Sequence, residues 1–147
     1  LKTRQTISAS TDFQATGLSA TITPSSNNSK ILIIVNGVYN VYNATATQYL
    51  TRFKLYNGSS EITDANSTGS TNNSWKTMFE VSADSGDHQQ FELLPVQGDY
   101  LYTHGGSAGS AITINLYATS EVAMFFNGRN QTDFGTTSSM TLMELGG

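Results

Sequence analysis

The spacing of turn residues most constrains what this chain can fold into. Short runs rich in Thr, Val, Ile and Tyr are separated every eight to twelve residues by clusters of Gly, Ser, Asn and Asp, and helical periodicity is nearly absent. β-Branched and aromatic residues favour pleated, half-buried surfaces, and turns at this spacing are typical of a sandwich or barrel. The sequence therefore predicts an all-β protein.

The strongest predicted strand covers residues 30–42, where Gly37 indicates a bulge or a close approach of neighbouring chain. Residues 48–56 alternate, with Tyr49, Thr51, Phe53 and Leu55 on one face. Asn57-Gly58 then provides the strongest hairpin signal. About ten or eleven antiparallel strands are predicted, at residues 6–15 (whole or in two pieces), 19–23, 30–42, 48–56, 61–63, 76–82, 89–94, 100–104, 111–118, 122–127 and 138–145.

Many short strands with this spacing predict a β-sandwich of two sheets, most simply a jelly roll, while an immunoglobulin-like sandwich remains the alternative. The Cys–Trp–Cys framework of immunoglobulin domains is absent, which favours the jelly roll. No repeat or linker interrupts residues 1–147, so we expect one domain. Because the chain begins with Leu and stops straight after a predicted strand, we expect it to be the C-terminal part of a longer chain.

The composition excludes several classes of partner and chemistry. The absence of cysteine excludes a disulfide scaffold and a thiolate metal site. Seven basic residues in a chain of net charge −4 argue against nucleic acid, which needs clustered Lys and Arg. Apolar runs of five residues, such as 31–35, are far below the roughly 20 that span a bilayer, so no membrane insertion is expected.

The sequence offers no constellation that predicts catalysis, a metal or a cofactor. The tightest carboxylate groups are Glu61 with Asp64 and Asp84 with Asp87, and the second pair lies in a Gly-containing turn. His88 and His104 lie apart from each other and outside any metal-binding spacing, so we expect surface or loop-edge roles for both. We therefore expect a protein that is not an enzyme.

Aromatic residues provide the binding hypotheses. Trp75 closes the polar loop 64–74, where an exposed indole could stack on a sugar ring; alternatively it begins a strand and packs inward. Phe125 and Phe126 are adjacent and so point to opposite faces, and Tyr117 is similarly placed beside Leu116. Apolar side chains on both faces predict that an outer face is covered, and a sister subunit is the expected cover.

Two segments resemble a known group of proteins. Residues 17–35 (GLSATITPSSNNSKILIIV) look like a recurring segment of phage tail-fibre and related virion proteins, especially those of marine cyanobacterial phages. Residues 138–147 (SSMTLMELGG) look like the ends of those chains, and the spacing of strands across 111–130 is similar to their penultimate hairpin. The resemblance covers roughly the first 40 and last 40 residues.

The resemblance implies a C-terminal jelly-roll head, similar in shape to tumour-necrosis-factor or C1q heads. It would form a homotrimer on the virion surface, with the rest of the fibre or virion joined to its N-terminus. The implied function is non-enzymatic receptor binding that attaches a phage tail fibre to the host surface, with a host glycan or protein as receptor. The alternatives are a structural head fibre or capsid decoration protein, and a sugar-cleaving or esterase domain on the same scaffold.

Strand counting predicts which loops meet the receptor. Alternating strands would place the loops at 43–46, 65–74, 96–97 and 119–120 together, opposite the fibre. A miscount by one strand would place 83–88, 105–110 and 128–136 there instead. The first count predicts a receptor-binding face of Asn66, Asn72, Asn73 and Trp75.

Overall fold

The computed structural model describes residues 1–42, 48–68, 73–81, 93–129 and 135–145. Within these ranges ten strands form two antiparallel sheets of five strands each. One short 3-10 turn, Thr63–Ala65, is the only helical element there, and no helix in the same residues is long and apolar enough to cross a bilayer. The strands are β1 (Gln5–Ile7), β2 (Ser10–Ile22), β3 (Lys30–Tyr42), β4 (Gln48–Asn57), β5 (Ser60–Glu61), β6 (Lys76–Val81), β7 (Leu94–Thr103), β8 (Ile112–Ser120), β9 (Ala123–Phe126) and β10 (Ser139–Leu145).

The order of the strands is that of a jelly roll. The first sheet contains β1, β3, β7, β9 and β10, and the second contains β2, β4, β5, β6 and β8. β7 pairs along one edge of β3, while β10 and then β9 pair along its other edge. Successive strands from β1 to β4 therefore change sheets each time, as do β6 to β9. This interleaving confirms the jelly-roll sandwich and excludes the immunoglobulin arrangement.

The core lies between the sheets and follows the predicted alternation. The face of β4 that carries Tyr49, Thr51, Phe53 and Leu55 is buried, as expected, while its other face is only partly covered. The ring of Phe53 meets that of Tyr39 from the opposite sheet edge-to-face, with centroids 5.3 Å apart. Edge-to-face pairs add to the hydrophobic gain from burial, so this contact helps to fix the register of one sheet on the other.

Gly37 makes a close approach within a regular strand rather than a bulge. It pairs with Val96 in an uninterrupted ladder between β3 and β7. A Cβ atom at position 37 would lie 2.9 Å from Phe126 Cζ and 2.9 Å from Val96 Cγ1. The glycine is therefore required by neighbouring side chains in the core, and not by an unusual backbone conformation.

The sequence prediction was wrong for β2 and for β7. Strands were predicted at 6–15 and 19–23, whereas Ser10–Ile22 forms the single strand β2. The predicted strand at 100–104 begins six residues earlier, at Leu94, and runs through Pro95 and Gly98. Pro95 has no backbone N–H to donate. It is tolerated because β7 pairs only with β3 among the described strands and is therefore an edge strand. Gly98 provides room for Trp75, whose ring would lie 2.9 Å from a Cβ atom there. Most of the predicted strand at 89–94 lies outside the described residues.

One end of the sandwich is closed by two loops that bond to each other. Backbone bonds join the loop after β2 to the loop after β7, from Asn28 N to Gly106 O (3.1 Å) and from Gly109 N to Pro24 O (2.8 Å). His104 is only 7% exposed and lies between these loops. Its Nδ1 accepts from Gly106 N–H at 3.0 Å, so Nε2 carries the hydrogen that it donates to Ser26 O. His104 is thus a buried link at the loop edge and not a surface residue.

Glu144 on β10 holds the loop after β2 against the sheet. Its carboxylate accepts from the Ser29 hydroxyl and from the Ser25 and Ser26 backbone N–H groups. These hydrogen bonds, that of Ser29 above all, lower the pKa of Glu144 from 4.5 to about 2. Hydrogen bonds to the charged form have this effect because protonation would break them.

The substitution Glu144→Gln is expected to lower stability at neutral pH. A folded-state pKa below the unfolded value means that the carboxylate stabilises the fold above about pH 4.5, and that this contribution is lost as pH falls towards 2. The urea midpoint of the variant should therefore lie below that of the parent at pH 7, with the difference closing between pH 4.5 and pH 2. Asp12→Asn, at an exposed carboxylate on β2, is the control. A constant difference across that pH range would contradict the role of the Glu144 charge.

Candidate functional site

The structure describes three of the four residues predicted as a receptor face, and a backbone bond from Ser67 N to Ser74 O (3.0 Å) joins the segment of Asn66 to that of Asn73 and Trp75. Asn66 follows the 3-10 turn and donates from Nδ2 to Glu61 Oε1 at 2.6 Å. Asn73 is half-buried and has polar contacts of its own. Asn72 lies outside the described residues. Glu61, the partner of Asn66, lines a pocket that is described below.

Trp75 packs inward, so the prediction of an exposed indole was wrong and the alternative is correct. Its side chain is 9% exposed and belongs to the core. The ring occupies the space that Gly98 leaves open, and Lys76 Nζ lies 5.4 Å from the ring centroid. An indole in this position has no free face to offer a sugar.

The predicted grouping of loops was also wrong. Residues 96–97 lie inside β7 and residues 119–120 lie inside β8, so neither pair is a loop. The grouping failed because two strands are longer than predicted. β7 begins at Leu94 and covers 96–97, and β8 continues to Ser120 and covers 119–120. Of the other predicted loops, 43–46 and 83–88 lie outside the described residues.

A polar pocket of about 220 Å³ lies beside the β4–β5 hairpin. The Asn57-Gly58 turn predicted from the sequence joins these strands, and the 3-10 turn follows them. The lining combines carboxylate, amide and hydroxyl groups with a tyrosine ring and one apolar side chain: Asn57, Ser60, Glu61, Ile62, Thr63, Asp64 and Tyr102. We refer to it as the β5 pocket.

Glu61 is the most connected group of the β5 pocket. Its Oε1 accepts from Lys54 Nζ at 2.8 Å and from Asn66 Nδ2 at 2.6 Å. Burial, together with the Glu61 charge and a hydrogen bond to it, raises the pKa of Tyr56, so this phenol stays protonated as a donor to Glu61. These donors fix the position of the Glu61 carboxylate, and with it this wall of the pocket.

The opposite wall of the β5 pocket comes from the first sheet. Asn57 Nδ2 donates to the Tyr102 hydroxyl at 3.1 Å, which links β4 to β7 across the end of the sandwich. Burial and the nearby Asp64 charge raise the pKa of Tyr100, two residues before Tyr102. Asp64 itself is exposed, and its carboxylate forms no hydrogen bond or ion pair with another described residue. The pocket therefore keeps one carboxylate free to bind a ligand.

Of the aromatics that predicted a sister subunit, Phe125 and Phe126 are buried within the chain, whereas Tyr117 is only partly covered. Phe125 is 9% exposed, and the Arg4 guanidinium carbon lies 5.2 Å from its ring centroid. Phe126 points into the core. Tyr117 stacks on Tyr56, with centroids 4.2 Å apart and planes inclined by 32°. The prediction that a subunit covers Phe125 was wrong, because a cation from the N-terminal segment takes that position.

A different apolar surface is exposed on the first sheet. Met143, Leu32 and Leu101 lie directly beside one another across β10, β3 and β7. Met143 is 48% exposed and Leu101 is 44% exposed. A groove of about 330 Å³ lies beside these residues, and its lining includes Leu32, Ile34 and Asp99. We refer to the row Met143–Leu32–Leu101 as the apolar row.

The remaining candidates for chemistry do not form a second site in the described part of the chain. No group of three or more His, Asp or Glu side chains is close enough there to hold a metal ion. Asp84, Asp87 and His88 lie outside the described residues. His104 uses both ring nitrogens in the loop contacts described above.

No protein-family model matches this chain, and no curated protein matches it significantly.

Sequence reasoning missed most of the β5 pocket. Glu61 and Asp64 were recognised as a close pair of carboxylates, and Asn57 as part of a turn, but nothing brought Tyr102 to them. Tyr102 is 45 residues from Asn57 along the chain, and only the packing of β7 against the β4–β5 hairpin joins the two. The available signal was the coincidence of a hairpin turn at Asn57 with two carboxylates, Glu61 four residues and Asp64 seven residues beyond it.

Proposed function

We propose that this chain is a non-enzymatic receptor-binding head of a phage tail fibre, which attaches the particle to a glycan on the host surface through the β5 pocket. The observation that carries the proposal is the lining of that pocket. It places a free carboxylate, an amide and two hydroxyls around a tyrosine ring, at Asp64, Asn57, Ser60, Thr63 and Tyr102. Sugar hydroxyls both donate and accept hydrogen bonds, and a ring edge or face suits their apolar patches.

The contacts of Glu61 favour binding over catalysis. A glycosidase needs one carboxyl group that gives up a proton and a second that acts as base or nucleophile. Glu61 Oε1 is already occupied by Lys54 Nζ at 2.8 Å and by Asn66 Nδ2 at 2.6 Å, so this oxygen is not free to exchange a proton with a glycosidic bond. Release of reducing sugar from a bound glycan would contradict this part of the proposal.

We further propose that the head is a homotrimer, and the apolar row supports this. Three large apolar side chains in one row across three strands lose favourable burial if they remain in water. Lys30 lies two residues before Leu32 on β3, and Asp99 two residues before Leu101 on β7. A charge of each sign flanks the row, so copies of the chain can pair these charges around an apolar centre. Three linked pockets would also strengthen weak sugar contacts through effective concentration.

The substitution Asp64→Ala is expected to weaken glycan binding by roughly tenfold to a hundredfold, because hydrogen bonds to a charged group contribute about 1.5–3 kcal/mol. Binding should be measured by isothermal titration against a panel of neutral mono- and oligosaccharides. Asp12→Ala removes an equally exposed carboxylate from β2 and should leave binding unchanged.

Two outcomes would contradict the assignment. Equal binding by the parent and Asp64→Ala would remove the β5 pocket from the site. The absence of binding to any member of the panel would contradict the glycan receptor. A trimer that binds no sugar and does not compete with particle adsorption would favour the alternative, a structural head fibre or capsid decoration protein.

A further inference from the structure

A pair of tyrosines lies beside the β5 pocket on the outer face of the second sheet. Tyr56 pairs directly with Glu61 across β4 and β5, so the two side chains project from the same face. Tyr117 on β8 extends this surface on the other side of Tyr56, and both rings remain partly exposed. The pair contributes no side chain to the core between the sheets.

The spacing of these groups matches a chain of sugar rings. Neighbouring strands lie about 4.8 Å apart, so β5, β4 and β8 place Tyr117 roughly 10 Å from Glu61 across the sheet. That span is comparable with the length of a disaccharide. Tyr56 connects the two ends, because it contacts Tyr117 through its ring and Glu61 through its hydroxyl.

The charges around this surface select against acidic sugars. Among the described residues, Glu61 and Asp64 are the charged groups that line the β5 pocket, and both are carboxylates. Lys54, which contacts the pocket through Glu61, is already committed: its Nζ lies 2.8 Å from Glu61 Oε1 and 4.6 Å from the Phe13 ring centroid. A carboxylate or sulfate on the ring that enters the β5 pocket would therefore meet repulsion from Asp64, and no cation of the described part of the chain lines the pocket to compensate it.

We propose that the β5 pocket and the Tyr56–Tyr117 pair form two adjacent subsites for an oligosaccharide that carries no acidic group. One ring occupies the pocket, where Asp64 and Asn57 bind its hydroxyls. The next ring lies against Tyr56 and Tyr117 through its apolar C–H face. This inference rests on the proposed function and specifies the ligand of the same site.

The test compares ligands of different length on variants of Tyr117, which is the tyrosine farther from the pocket. Tyr117→Leu keeps an apolar side chain but removes the ring, and it should weaken binding of neutral di- and trisaccharides by roughly threefold to tenfold. Its affinity for the matching monosaccharides should not change. Tyr117→Phe retains the ring and should bind as the parent does. Thr113→Ala, on the same face of β8 and bonded to Thr21, is the matched control.

Each result bears on a different claim. Equal loss of mono- and oligosaccharide binding in Tyr117→Leu, or no loss of either, would overturn the second subsite while leaving the pocket intact. Tighter binding of glucuronate- or sialate-bearing oligosaccharides than of their neutral counterparts would overturn the charge selection. Absence of binding to every sugar would instead contradict the proposed function itself.

Discussion

Replacing Phe126 with alanine is expected to lower the free energy of unfolding by about 3–5 kcal/mol, the cost of removing a fully buried aromatic ring from a core. The Phe126 side chain is 0% exposed and packs over Gly37 on the neighbouring strand. Because stabilities of 5–15 kcal/mol are typical of domains, such a loss removes a large share of the total. Urea unfolding at a fixed protein concentration measures it and keeps any contribution from association constant.

A double-mutant cycle tests whether Phe126 and Gly37 form one packing unit. Gly37→Ala alone should cost about 1–3 kcal/mol, because its new Cβ atom would overlap Phe126 and Val96. In the Phe126→Ala background the same change should cost clearly less, because the ring of Phe126 is gone and only Val96 still obstructs the new Cβ atom. Additive losses would show that Gly37 is required for a reason other than this contact.

Charged side chains in the apolar row are expected to convert the assembly to single chains. The parent should sediment at about three times the 15.8 kDa of one chain, whereas the double variant Leu101→Glu/Met143→Glu should sediment at 15.8 kDa. Both positions are exposed in the isolated chain, so the substitution should leave the fold intact. Carboxylates placed in an apolar interface are costly unless they are paired, which is the physical reason for the expected loss of association.

The matched control for this variant is Thr21→Glu/Thr113→Glu, which adds the same charges to the outer face of the second sheet. It should retain the mass of the parent. A parent chain that sediments at 15.8 kDa would remove the trimer from the account, and a double apolar-row variant that remains trimeric would place the interface elsewhere.

The sequence predicted the parts of the fold that depend on local alternation. Apolar and polar residues that alternate with a period of two predict strands β3, β4 and β8 and the buried face of Phe53 and Leu55. One strand displays this alternation by itself, so no contact with another strand is needed to recognise it. The jelly roll also followed, since many short strands with regular turns have few ways to bury one face each. The bounds of β7 were predicted wrongly because Pro95 and Gly98 are local turn signals. Pro95 is tolerated because β7 is an edge strand, and Gly98 is required because the ring of Trp75, just before β6, packs against it.

The candidate site was harder to predict because its members come from distant parts of the chain. The choice of Asn66 placed one residue next to the β5 pocket, through its bond to Glu61. Trp75 was misplaced because an indole after a polar loop has the same sequence signature whether it packs inward or outward. Tyr117 and Tyr102 join the site only through strand pairing and sheet packing, which no local pattern records.

The most direct test of the binding site is an amide-resolved NMR titration of the uniformly 15N-labelled chain with the best neutral oligosaccharide of the panel. The account predicts that the largest shifts fall on the hairpin and the turn that follow Asn57, at Ser60, Thr63 and Asp64, with smaller shifts around Tyr117. The turn between β8 and β9, at Glu121 and Val122, lies at the opposite end of β4 and should not respond. Shifts confined to that turn or to the apolar row, with none at Ser60, Thr63 and Asp64, would contradict the assignment of the β5 pocket as the receptor site.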